Sequence, residues 1–122
     1  MQRSRRVEIR NQTKDSSLGK QISTADTLIT RLFGLLGERK LEAETGLLIV
    51  PSSGVHTFGM RFPIDIVALD REMRVRGVWE GVGAFRLVGL SWKTHSVLEL
   101  PTGTIRKSGT EVNDQLARTT VG

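Results

Sequence analysis

The run Gly46-Leu47-Leu48-Ile49-Val50, stopped at once by Pro51-Ser52-Ser53-Gly54, is the strongest constraint on the fold. It has strand length and no polar alternate, so it predicts a central strand covered on both faces. The segments around it supply partners. Val7 and Ile9 alternate with Glu8 and Arg10, which predicts a half-buried strand over Arg6 to Gln12. Lys14 to Gly19 reads as the turn that follows, and Lys20 to Ser23 as the returning strand. Val55 to Met60 and Ile64 to Asp70 read as strands with Phe62-Pro63 at the corner between them, and Met73 to Glu80 pairs back on the second. Ser96 to Leu100 is a further strand, Pro101-Thr102-Gly103 a turn, and Val112 to Leu116 a short closing element. Gly81 to Leu90, broken by three glycines, has no clear period.

One stretch changes the period. Leu28, Ile29, Leu32, Phe33, Leu35 and Leu36 recur at offsets of three and four, which predicts an amphipathic helix capped by Ser23 or Asp26 and ended near Leu36 by Gly37. Six or seven short strands with one short helix predict a mainly β fold, a small sandwich or barrel. A chain of 122 residues, 38% hydrophobic and 25% charged, fits one globular domain over residues 1–122. No apolar run approaches the roughly 18 residues of a membrane span. Met1 to Arg6 leads into the first strand without an apolar signal core, so the chain as written is expected to be cytoplasmic, and periplasmic or secreted if a signal was removed. With no cysteine, disulfides, thiolate zinc sites and thiol catalysis are excluded.

The net charge of +5 is concentrated at the start. Residues 1–20 carry Arg3, Arg5, Arg6, Arg10, Lys14 and Lys20 against Glu8 and Asp15, which is +4 of that total. Residues 1–6 are therefore expected to form a flexible basic arm. Weak association with nucleic acid through this arm is one reading. No aromatic residue is interleaved with these charges, so a solvated terminus is preferred.

The polar residues cluster in His56-Thr57-Phe58-Gly59-Met60-Arg61-Phe62-Pro63-Ile64-Asp65. In an extended Val55 to Met60, His56, Phe58 and Met60 share one face, and Thr57, Gly59 and Arg61 the other. Pro63 holds Phe62 extended and so sets Asp65 relative to Arg61 and Thr57. His56, Thr57, Arg61 and Asp65 are the candidate binding or functional residues, since an Asp beside an Arg and a neutral His suits a polar ligand or proton transfer. The alternative is structural: Asp65 accepting hydrogen bonds from the corner backbone and Arg61, and Met60 packing in the core. Ser52 or Ser53 with His56 and Asp65 has the residue types of a hydrolytic triad but not the Gly-x-Ser-x-Gly elbow. His56, His95 and scattered carboxylates lack metal-ligand spacing, and the glycines of Gly81 to Phe85 fit no phosphate or dinucleotide loop, so neither metal nor cofactor is expected.

The His56 to Asp65 run, with Ile66-Val67-Ala68-Leu69-Asp70 after it, resembles the signature of the family known as domain of unknown function 192. The resemblance extends over residues 24–116, through Gly46-Leu47-Leu48 before the signature and Val97-Leu98-Glu99-Leu100-Pro101-Thr102-Gly103 after it, to Asn113-Asp114 where the family usually has Gly-Asp. It implies a compact β-rich, jelly-roll-like fold. The family hallmark positions are Thr57, Phe58, Met60, Pro63, Asp65, Glu99, Gly103 and Asp114. Phe58, Met60, Pro63, Glu99, Gly103 and Asp114 are taken as structural. The resemblance implies no agreed reaction, and several members carry an N-terminal signal or anchor. Many relatives have a Cys at the position of Ser52 or Ser53, so its absence here argues against thiol chemistry as a shared function. Asn113 is a mild departure, because Asn tolerates the left-handed geometry that Gly provides.

The leading functional expectation is a small non-enzymatic binding or accessory domain. It would present the surface around residues 56–65, with Trp92 and His95, to a small polar ligand or a protein partner. The alternatives are an enzyme acting on a carbohydrate or other polar metabolite, with Asp65 as base or anchor and His56 as proton carrier, and the weak nucleic-acid association above.

Overall fold

The computed structural model describes residues 6–25, 42–56, 62–83, 87–88 and 91–120. Among these residues, nine strands and one short helix follow one another as β1 (Arg6–Asn11), β2 (Ser16–Ala25), β3 (Thr45–Ile49), β4 (Val55–His56), β5 (Ile64–Leu69), β6 (Val75–Val82), β7 (Leu87–Val88), β8 (Ser96–Pro101), α1 (Thr104–Ser108) and β9 (Leu116–Thr120). Seven strands form one curled sheet in the order β6-β5-β8-β3-β2-β1-β9, while β4 and β7 pair as a separate two-stranded ribbon. Only β2 and β3 run parallel among the described pairs. The fold is mainly β, a half-barrel, with one short helix among the described residues.

The sheet's edge strands meet at one end. The Val75 amide donates to the Asp114 carbonyl at 2.9 Å, Asn113 donates to Val75 at 2.9 Å, and Leu116 donates to Met73 at 3.0 Å. Among the described residues β6 and β9 are otherwise at opposite ends of the strand order.

The expected central strand is β3, flanked by β2 and β8, and the reason for its unbroken apolar run is visible in the packing. Its Leu48 enters an inner cluster with Val67, Leu69, Leu98, Leu100 and Leu116, while Ile49 enters an outer cluster with Phe62, Ile64, Ile66, Val88 and Val97. Strands β5 and β8 are buried on both faces in the same way. At the edge, β1 has only its inner residues Val7, Ile9 and Asn11 buried, which is the alternation seen in the sequence. Helix α1 closes the inner cluster by inserting Ile105, whose burial contributes about 2 kcal/mol.

Several boundaries differ from expectation. The turn after β1 occupies residues 12–15, and β2 begins at Ser16 rather than Lys20, because Leu18 is already a core residue. Residues 112–114 are a turn, not a strand, and the closing strand β9 lies at Leu116–Thr120. Asn113 takes φ 80° there, the left-handed geometry expected of that position. The unassigned stretch contributes the end of β6 and the short strand β7. The helix expected to end near Leu36, the continuation of Val55 to Met60 beyond His56, and residues 1–5 of the basic arm lie outside the described residues.

Candidate functional site

Asp65 sits in β5, fully buried and opposite Leu100 of β8. Its parity with Val67 and Leu69 points it to the inner face. There its Oδ1 accepts the Gly81 N–H and its Oδ2 accepts the Ile105 N–H, both at 2.9 Å. Helix α1 has Gly103 at its N-cap, left-handed at φ 93° and without a side chain to cap with, so the strand carboxylate satisfies an amide that the helix leaves open. Asp65 thereby ties β5 to the start of α1.

Glu99 is also fully buried but faces outward, between Leu47 of β3 and Ile66 of β5. Asp114 is buried near the seam, where it accepts hydrogen bonds from Asn11 at 2.9 Å, from the Glu111 amide at 3.0 Å and from Lys14 Nζ at 2.8 Å to each oxygen. Burial works to raise its carboxyl pKa, and the bonds from Lys14, Asn11 and the Glu111 amide outweigh burial and hold it below the usual 3.8. The hydrogen bond to Asp114 in turn holds Lys14 above 10.5. Ser16, Ser108 and Thr110 extend this polar network, which ties the β1–β2 turn to the loop before β9.

Of the other candidates, His56 pairs through its backbone with Leu87 in the β4–β7 ribbon, while its side chain, together with Thr57, Phe58, Met60 and Arg61, lies outside the described residues. Pro63 is exposed. The Ser52 hydroxyl donates to the Gly54 carbonyl at 2.7 Å, and both Asp65 oxygens are engaged by backbone amides on the inner face, so the two are not arranged as members of one triad. Among the described residues no group of His, Asp and Glu is arranged to hold a metal ion. No described helix is long and apolar enough to cross a membrane.

An open groove of about 570 Å³ lies on the outer face, lined by Ala68, Arg76, Trp79, Leu87, Val88, Ser91, Lys93 and Thr94. Its floor is small by register. Ala68 of β5 pairs with Gly77 of β6, while Leu69 pairs with Val75, so Arg76 is the extra residue of a bulge. The Trp79 ring lies across Gly77, where a Cβ would overlap its six-membered ring. Trp79 remains 36% exposed. The Arg76 Nε donates to Asp70 Oδ2 at 2.9 Å, and among the described residues its two Nη nitrogens have no partner. Asp70 is itself fixed, its Oδ1 accepting the amides of Glu72 and Arg74. The opposite wall is the loop after β7, where Lys93 Nζ stands 5.3 Å from the centre of the fully turned-out Trp92 ring. His95 lies in a separate depression with Pro51, Ser52, Ser53 and Thr94.

Arg76, Trp79 and Lys93 were not singled out by the sequence. The available signal was Gly77-x-Trp79, an aromatic two residues from a glycine on one strand face, but the floor opposite it depends on strand pairing.

Residues 9–118 match the family described as DUF192, Uncharacterized ACR, and the chain belongs to that family. No curated protein matches it. Among solved structures, one from Sinorhizobium meliloti 1021, described as a candidate transcription regulator, superposes with TM-score 0.76 at 19% identity, covering 95% of this chain and 94% of that one. A protein of unknown function from Novosphingobium aromaticivorans DSM 12444 superposes with TM-score 0.74 at 18% identity, covering 92% of this chain and 83% of the other. At these identities the likeness is one of fold.

Proposed function

We propose that this DUF192 member is a non-enzymatic binding domain that holds a small polar ligand in the outer groove between β6 and the β4–β7 ribbon. The observation that carries this reading is the groove itself. Ala68 keeps its floor low, and Trp79, lying across Gly77, is held in place as one wall. Its volume of about 570 Å³ is that of a small-molecule site. The backbone of His56, where the expected site begins, pairs with the strand that supplies Leu87 and Val88 to the groove. Asp65 weighs on the structural side, because both of its oxygens bind backbone amides on the inner face, and this also weighs against a general-base role.

Filling the groove tests the reading. Ser91 is exposed at its edge, and Ser91→Trp would occupy it, whereas Thr102→Trp would occupy the separate depression beside α1. In a thermal-shift screen of neutral, anionic and cationic metabolites, compounds that raise the Tm of the wild type should fail with Ser91→Trp and still act on Thr102→Trp. An undiminished shift in Ser91→Trp, or a screen in which nothing shifts the wild type, contradicts it.

A further inference from the structure

We infer that the groove's ligand is a small ring-bearing anion, with a carboxylate or phosphate beside a flat sugar or aromatic ring. This rests on the groove being the binding site and adds the chemistry of what it takes. The lining residues divide into two kinds of contact. Trp79 offers a ring face whose orientation is set by Gly77 beneath it, so little side-chain entropy is lost when a flat group stacks on it. Leu87, 64% exposed, extends this apolar wall. Among the described residues, the ionisable side chains lining the groove are both cations, Arg76 and Lys93, one on each side.

Arg76 is built as an anion receptor. Asp70 takes only its Nε, which orients the guanidinium and leaves the Nη edge without a described partner. Asp70 also offsets part of its charge, so the cation is held without being fully quenched. A neutral sugar stacked on Trp79 would partly desolvate two cations without pairing them, and a cationic ring would add repulsion. A small anion without a ring would leave Trp79 and Leu87 uncovered. A molecule with both parts uses both walls, and Ser91 and Thr94 line the space between.

The test varies ring and charge separately. Benzoate and glucuronate carry both, glucose has a ring without charge, acetate has charge without a ring, and benzylamine has a ring of the opposite charge. Each is titrated into the full-length protein while Trp fluorescence and backbone amide shifts are followed. Benzoate or glucuronate should bind at least about ten-fold more tightly than the other three, and move the amides of residues 76–79 and 91–94. Arg76→Gln and Lys93→Gln should each weaken that binding about ten-fold, the size expected for one charge-assisted hydrogen bond. Affinity should also fall with added salt. Whichever of the two wins identifies the ring as aromatic or sugar. If glucose or benzylamine moves the same amides with equal affinity, the groove stands as a site and the anionic class is overturned. If no probe moves them, both readings fall.

Discussion

A buried carboxylate that receives one backbone amide on each oxygen cannot be replaced by its amide isostere, because one of the two acceptors becomes a donor facing a donor. Asp65 is in that position between Gly81 and Ile105. Asp65→Asn is expected to lower unfolding free energy by about 2–3 kcal/mol in urea titrations, the cost of one unsatisfied buried N–H and a lost charged acceptor. Stability within a few tenths of wild type would show that the tie between β5, β6 and α1 is not needed. Asp114 makes a different prediction, about pH. Its carboxyl is held below 3.8, so its contribution is present above 3.8 and is lost as pH falls through the lowered folded value. Lys14, held above 10.5, contributes below 10.5 and loses its contribution as pH rises through the raised value. Lys14→Met should therefore be less stable than wild type near neutral pH and lose less on acidification below 3.8. Parallel curves of stability against pH would contradict the pairing.

At the scale of elements, β6 combines an exposed edge with the wall of the groove. Gly77→Ala would place a methyl group where the Trp79 ring lies. The ring is expected to be displaced into solvent, with a red-shifted emission and a loss of about 1–3 kcal/mol. Unchanged emission would mean that Gly77 does not position the ring. The strands most legible in the sequence were β3, β5 and β8, because burial on both faces leaves apolar runs that need no alternation to be recognised. Less was visible elsewhere, for reasons of length and polarity. Helix α1 has five residues, too few to show a helical period, and its N-terminal partner is 40 residues away in sequence. β9 has Leu116 as its only large apolar residue, whereas Val112, which drew the expected strand forward, is an exposed turn residue. Asp65 stood out as a residue, but the amides that engage it did not. The groove was hidden further, since it sets Ala68 beside Trp79 through a register that the Arg76 bulge has shifted.

For the whole molecule, the curled sheet separates two tasks. Its inner face is closed by α1 and by the seam between β6 and β9, and is anchored at its ends by Asp65 and by the Asp114 network. On its outer face Val88 of β7 packs into the cluster of Ile49, Ile64, Ile66 and Val97, and beside that strand the groove is open. Family membership and the likeness to solved structures extend to the barrel as a whole, so function must be sought in what this chain places on that face. The most direct test is a map of amide chemical-shift changes across the entire chain on adding benzoate and glucuronate. Ligand in the groove predicts that the largest changes fall on Ala68, residues 76–79, 87–88 and 91–94. Changes centred instead on Ser17, Leu18 and residues 101–104, or none at all, would contradict it.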